Sequence, residues 1–205
     1  MSAGEVPEYR ASIVKTSLRY VRELEDGPEI LALLGARVVA EIEAAPDSAF
    51  VPYAHHLAIL DWLFEKEGKD GVRDLTAFNV AESLNSPLFS MVRSGFLKAF
   101  GLKPATLLST VPRGMRRTTR HMGRIDIDVE PKARTAKTIW HKLPELLRRP
   151  CVAWAHSGTY PVLLTWGGAV DVNVEVDMAR IDQGEFHYVV NWVESPGLNP
   201  WAAGS

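Results

Sequence analysis

Alternation of hydrophobic and polar residues is clearest near the C-terminal end of the chain. Between residues 170 and 176 every second residue is a valine, and the residues between them are acidic or amide side chains. This two-residue period is typical of a strand with one buried face. A turn sequence at residues 182–184 and a β-branched and aromatic stretch at 186–193 follow. The pattern predicts a β-hairpin, whose valine face the upstream helices must cover because a lone hairpin is unstable in water.

A second alternating stretch precedes this hairpin. Residues 123–130 alternate isoleucine and valine with acidic residues, residues 131–134 form a turn sequence, and residues 137–143 read as another strand. The segment between the two hairpins, residues 150–166, predicts a crossing helix that Pro161 kinks or breaks.

The first half of the chain shows helical spacing, with apolar residues recurring every three or four positions. The segment after Ser12 fits a helix, although it also fits a strand. Further helices are predicted over four stretches bounded by glycine, proline or asparagine: residues 28–45, Tyr53–Lys66, 69–84 and 88–100. Residues 104–119 begin as a helix and then turn strongly basic.

This order of elements predicts the α+β class. An N-terminal helical layer packs on a small antiparallel sheet, which is made of two hairpins joined by the crossing helix. At 205 residues the chain suits a single domain over residues 1–205, with residues 1–11 and 194–205 as loose tails.

Composition narrows the class of protein. With 46% hydrophobic and 23% charged residues and a net charge of −2, the chain looks like an ordinary globular protein without a field that selects nucleic acid. Its one cysteine, Cys151, excludes an internal disulfide and fits a reducing compartment. No apolar run reaches the ~18 residues of a membrane span and no signal peptide is present, so a cytoplasmic location is expected.

The densest group of charges is a basic segment. It includes four arginines that fit a phosphate or carboxylate ligand, since guanidinium groups bind such anions through paired hydrogen bonds. They are Arg113, Arg116, Arg117 and Arg120. The alternative is a solvated connecting segment whose positive charge complements the acidic strand residues of 126–130. Nucleic-acid binding is disfavoured because interleaved aromatic residues are missing.

No motif argues directly for an enzyme. His55 and His56 are adjacent, which is not the i, i+4 spacing that chelates a metal. His156-Ser157-Gly158 lacks the strand and turn context of a nucleophile elbow. No glycine-rich phosphate loop is present.

The crossing helix carries a stripe that mixes one large ring with small residues. Such a stripe either lets two elements pack closely or leaves a cavity. If it leaves a cavity, the stripe and two further aromatic residues predict a ligand pocket lined by Phe96, Trp140, Trp154, Ala155, Gly158 and Val162.

Three short pieces of the chain carry a resemblance to a known family. They are residues 18–23, residues 111–113 leading to Gly123, and residues 167–172 continuing through Phe186 to Trp192. With them the chain resembles the vinyl-4-reductase domain, which shares a fold with haem–nitric-oxide-binding domains and with subunits of the TRAPP vesicle-tethering complex. It is most similar to an uncharacterised family expanded in myxobacteria, over nearly its whole length.

The resemblance implies a regulatory module with an apolar pocket between helices and sheet, dimeric through its helical layer. Some vinyl-4-reductase domains bind zinc through one glutamate and three cysteines. Glu130 and Cys151 stand at two of these places, but Asp177 and either Glu185 or Phe186 replace the hairpin cysteines, so no metal is expected. The haem branch uses a Tyr-x-Ser-x-Arg motif and a proximal histidine, which residues 9–12 do not match, so no cofactor is expected.

We therefore expect a cytoplasmic sensory or adaptor domain that binds a small apolar or amphipathic ligand and signals through a homodimer. The alternative is a TRAPP-like protein-interaction scaffold with a filled core and no small-molecule ligand. A third possibility is an enzyme whose anionic substrate is held by the arginine segment.

Overall fold

The computed structural model describes residues 5–85 and 103–194, which fold as helices packed on antiparallel sheet. The helices are α1 (Ala11–Glu23), α2 (Gly27–Leu34), α3 (Ala36–Ala44), α4 (Tyr53–Asn85), α5 (Pro104–Leu108), α6 (Val111–Thr118), α7 (Pro150–Ser157) and α8 (Thr159–Trp166). The strands are β1 (Glu8–Arg10), β2 (Phe50–Pro52), β3 (Thr119–Arg120), β4 (Arg124–Glu130), β5 (Thr135–His141), β6 (Ala169–Asp177) and β7 (Phe186–Glu194). The α+β class predicted from the sequence is confirmed.

Helix α1 resolves the ambiguity after Ser12. Its buried apolar residues are Ala11, Val14, Leu18 and Val21, which are three or four positions apart and therefore share one helical face. A strand would bury every second residue instead. This face packs on α4 in the core of the helical layer.

Helix α4 consists of two arms that meet at Gly68. Gly68 has φ 68° and ψ −149°, a conformation that glycine adopts readily, and it lies in the break predicted between Lys66 and Lys69. Leu57, Leu60 and Leu63 of the first arm are buried as expected. In the part of the chain that the structure describes, no helix is long and apolar enough to cross a membrane.

The larger sheet contains both predicted hairpins in the order β4-β5-β7-β6, and all neighbours are antiparallel. Val174 faces the core opposite Val190. The prediction that all four valines of this strand face inward is wrong for Val170, which is 59% exposed. The register shifts between Ala169 and Asp171, and such a bulge turns the extra residue out of the alternation.

The predicted crossing helix is two helices that meet at Gly158 rather than at Pro161. Pro161 is the third residue of α8, where its missing N–H costs little because the first turn of a helix has no intrahelical acceptor for that group. Both helices contact α4 on one side, and β6 on another. They therefore fill the space between the helical layer and the larger sheet.

A second, smaller sheet was not predicted. Strands β1, β2 and β3 pair in the order β2-β1-β3, and Ala11 begins α1. The assignment of residues 1–11 to a loose tail is therefore wrong from Glu8 onward, because strands of two or three residues are too short to show an alternation. The predicted helix over 88–100 and the tail beyond Glu194 lie outside the described residues.

Candidate functional site

The space between α7–α8 and the larger sheet holds a cluster of aromatic rings, which we call the interior cluster: His156, Tyr160, Trp140 and Tyr188. The His156 ring centroid lies 4.9 Å from that of Trp140, 5.4 Å from Tyr160 and 5.3 Å from Tyr188. Each of the four residues is at most 7% exposed. Histidine and tyrosine four positions apart lie on the same helical side, so both point at the inward residues of β5 and β7.

Hydrogen bonds hold the interior cluster in place. His156 Nε2 and the Tyr160 hydroxyl lie 3.1 Å apart, and the Tyr188 hydroxyl donates to the Ala153 carbonyl at 3.2 Å. The Trp140 indole N–H donates to the Met122 carbonyl at 2.7 Å. Because these buried polar groups have partners, the cluster is a packed part of the interior.

Burial keeps the interior cluster uncharged. It lowers the pKa of His156 to about 4, since a charged imidazolium loses its hydration there. The same loss of hydration raises the pKa of Tyr160 and of Tyr188. At neutral pH the cluster therefore presents a neutral imidazole and neutral phenols.

A second buried polar group lies within the helical layer. The Asn79 amide N–H donates to Ser17 Oγ at 2.8 Å, and Ser17 Oγ lies 3.2 Å from His56 Nδ1. The rings of Tyr9 and Tyr53 pack against His56 at 5.0 and 5.4 Å, and burial lowers the pKa of His56 to about 3. Ser17 is fully buried, so no substrate reaches its hydroxyl and the serine–histidine pair is not a nucleophile.

Cys151 lies at the start of α7, and its thiol is hydrogen-bonded to a carboxylate. Its thiol donates to Asp61 Oδ1 at 3.1 Å, and Arg149 Nη1 pairs with Asp61 Oδ2 at 2.8 Å. A surface pocket of about 280 Å³ opens beside these three residues. Burial, and next the bond to Asp61, raises the pKa of Cys151, so the thiol is protonated at neutral pH.

We expect Cys151 to react slowly with thiol reagents. Because the thiolate is the reactive form, alkylation by iodoacetamide at pH 8 should be at least about tenfold slower than alkylation of glutathione. Mass spectrometry of timed samples measures the rate, and the same reaction in denaturant is the control. A native protein that reacts as fast as glutathione would contradict the burial and the bond to Asp61.

The structure separates the predicted pocket residues. Trp140 belongs to the interior cluster, whereas Trp154 is half-buried with Lys69 Nζ of α4 5.4 Å from its ring centroid. Gly158 also meets α4, since a Cβ placed on it would lie 2.4 Å from the Arg73 carbonyl oxygen. Ala155 is buried and Val162 half-buried. Phe96 lies outside the described residues, so binding by this set stays a prediction.

The arginine segment divides into two parts. Arg113, Arg116 and Arg117 are exposed on one face of α6 and form no ion pair with a described residue. Arg120 instead pairs with Glu8 at 3.6 Å, and its guanidinium lies 4.0 Å from the Phe50 ring centroid. Anion binding by these four residues stays a prediction. The three exposed arginines of α6 are the ones free of an ion pair with a described residue.

The residues at the positions of the vinyl-4-reductase zinc ligands lie far apart in the fold. Glu130 ends β4 at one edge of the larger sheet, Asp177 ends β6 at the other edge, and Cys151 begins α7. Across residues 5–85 and 103–194, no group of three or more histidine, cysteine, aspartate or glutamate side chains is arranged to hold a metal ion.

The chain is similar in fold to solved structures of H-NOX (haem–nitric-oxide-binding) proteins. The H-NOX protein from K. algicida matches with a TM-score of 0.60 and 10% identity over 93% of this chain and 100% of that chain. A T. tengcongensis H-NOX mutant matches with a TM-score of 0.59 and 12% identity over 92% and 100%. An S. oneidensis H-NOX protein gives 0.54 and 11% over 89% and 98%. No family model and no curated protein matches the chain.

These matches correct the resemblance drawn from the sequence. The similar structures are H-NOX proteins, whose fold is distinct from the vinyl-4-reductase and TRAPP type, and no family model supports the vinyl-4-reductase or myxobacterial assignment. That assignment is wrong. It rested on three short pieces, two of which lie in helices and one in a hairpin, and pieces of this length are too short to specify a fold.

Within residues 5–85 and 103–194, no buried histidine or cysteine is free to ligate a haem iron. Haem iron needs an axial ligand, usually a histidine or a cysteine thiolate. His56 and His156 are both hydrogen-bonded inside packed aromatic groups, and the Cys151 thiol is bonded to Asp61. Residues 86–102 contain no histidine. Three further histidines, His121, His141 and His187, pair with carboxylates near the surface, and the sixth, His55, is half-buried on α4.

Proposed function

We propose that this chain is a sensory or adaptor domain of the H-NOX fold that works without haem and signals through contact with another protein. One observation carries the proposal. The interior cluster fills the space between α7–α8 and the sheet, and His156 in it is bonded to Tyr160 at 3.1 Å instead of being free to bind iron. Among the similar structures, two of the K. algicida H-NOX protein and one of the S. oneidensis H-NOX protein are in the Fe(II) state, and another addresses heme distortion in the H-NOX family.

We expect the purified protein to carry no haem. The protein is produced with excess haem precursor and examined by absorption spectroscopy and by native mass spectrometry. The expected result is the mass of the polypeptide with no haem absorption band, because neither buried histidine is free to ligate iron. The K. algicida H-NOX protein, prepared in parallel, is the control. One haem per chain would overturn the proposal.

The same native mass spectrum tests the two finer parts of the proposed function. We propose a homodimer, the commonest closed symmetry, so the main species should have twice the chain mass. A small apolar molecule retained at one per chain would favour ligand sensing through the predicted pocket. A spectrum free of extra mass would favour the adaptor role, in which the interior serves only as core.

A further inference from the structure

The outer face of the larger sheet is lined by carboxylates along both edge strands. Strands β4 and β6 turn their isoleucine and valine side chains inward, except Val170, and the intervening residues outward. We call the resulting two rows the acidic rails. They are Asp126, Asp128 and Glu130 on β4, and Asp171, Glu175 and Asp177 on β6.

Little within residues 5–85 and 103–194 compensates this charge. Asp126 pairs with Arg124 at 2.9 Å and with His141 at 2.8 Å. The other five carboxylates form no ion pair with any residue of the described ranges. Lys137, which lies opposite Asp128 on β5, is the other outward lysine or arginine on the four strands. Six carboxylates therefore face two such cations.

The floor between the acidic rails is partly apolar. It is formed by the central strands β5 and β7. Ile139 is 39% exposed and Val193 is 48% exposed. Val189 lies between them in half-buried position. Lys137 lies opposite Val189 on the same floor, so apolar and polar side chains are combined between the charged borders.

The spacing of the acidic rails matches an α-helix. Because neighbouring strands lie about 4.8 Å apart, the rails on β4 and β6 are roughly 14 Å apart. An α-helix with its side chains is about 10–12 Å wide, so it lies between the rails with its flanks close to both. Lysine or arginine side chains on the two flanks would meet the carboxylates, and an apolar stripe would meet the floor.

Other occupants fit less well. Nucleic acid and anionic lipid are repelled by six carboxylates, and so is the same face of a second copy. The arginines of α6 in a second copy share one helical face, so they would reach one rail alone. We propose that this face binds a cationic amphipathic helix of a partner protein. The inference rests on the proposed function, since it names the chemistry of the contact through which the domain signals.

The test uses a synthetic helical peptide and two matched variants of the full chain. The peptide has about 16 residues, which span the length of a seven-residue strand, with a leucine stripe flanked by lysines on both sides. The rail variant is Asp128→Asn, Glu130→Gln, Asp171→Asn and Glu175→Gln. The control variant, Glu23→Gln, Glu25→Gln, Asp74→Asn and Glu145→Gln, makes the same change in net charge at exposed residues elsewhere.

Binding is measured by fluorescence anisotropy at physiological salt. The rail variant should bind the peptide roughly tenfold or more weakly than the parent, from the loss of several ion pairs. The control variant should bind within about twofold of the parent, because charges beyond about 8 Å are screened. A peptide with lysines on one flank only should bind more weakly than the two-flanked peptide.

Three outcomes would overturn the inference: equal weakening by both variants, equal binding of the two peptides, or no binding to the parent. The haem measurement separates this result from the proposed function. One haem per chain together with rail-dependent binding overturns the proposed function alone. A haem-free protein without rail-dependent binding overturns this inference alone.

Discussion

Replacing Gly158 by leucine should destabilise the folded protein by about 3 kcal/mol or more. A Cβ at this position would lie 2.4 Å from the Arg73 carbonyl oxygen and 3.0 Å from the Arg73 Cα. Both atoms belong to the backbone of α4, which moves only if α4 and α7 separate. Overpacking of a tight interior commonly costs 1–3 kcal/mol and sometimes more, and here rigid backbone rather than a side chain is in the way.

Urea unfolding of the variant beside the parent measures this loss. Gly114→Ala is the matched control, since Gly114 lies in α6 and a Cβ there meets no atom within 4 Å. The control should be neutral or up to about 1 kcal/mol more stable, because alanine favours the helical backbone. If Gly158→Leu were as stable as the parent and had lost a retained ligand, the small residue would line a pocket instead of a helix–helix contact.

Long periodic stretches made most of the fold readable from the sequence. The strands that pair as β4-β5 and β6-β7 show their alternation over seven to nine residues, and glycine marks the break in α4. The small sheet was not readable. Its pairing joins Tyr9 to Val51 and Thr119, which are far apart in the chain and in strands too short for a pattern.

The candidate site was harder to predict because α7 is buried on nearly every side. A helix that faces the core on one side and water on the other reveals its orientation, but Cys151, Ala153, Ala155 and His156 are all buried. The sequence therefore gave no sign that Trp154 meets α4 while His156 meets the sheet. The i, i+4 spacing of His156 and Tyr160 was the available signal, since it puts both rings on one side.

Acid should destabilise this protein between pH 6.5 and about 4, before most carboxylates are protonated. Burial lowers the pKa of His156 from 6.5 to about 4 and that of His56 to about 3. At these pH values the unfolded chain binds protons that the folded chain does not, so stability falls as the pH falls. Above pH 6.5 both states are neutral at these residues and the effect disappears.

The size of the acid effect follows from the pKa shifts of His56 and His156. One pKa unit corresponds to about 1.4 kcal/mol, so each histidine should lower the free energy of unfolding by roughly 2 kcal/mol between pH 7 and pH 5. Together they remove about 4 kcal/mol, a large part of the stability of an ordinary domain. Urea unfolding at pH 7, 6 and 5 measures the loss.

A double variant isolates the part of the acid effect that belongs to the interior cluster. His156→Phe with Tyr160→Phe keeps two rings of similar size and removes both partners of the 3.1 Å hydrogen bond, so neither is left without a partner. Its loss of stability between pH 7 and pH 5 should be about half that of the parent, because His56 still titrates. An unchanged loss would mean that His156 takes up its proton in the folded protein. The packing and hydrogen bonding of His156, on which the argument against a haem ligand rests, would then be in error as well.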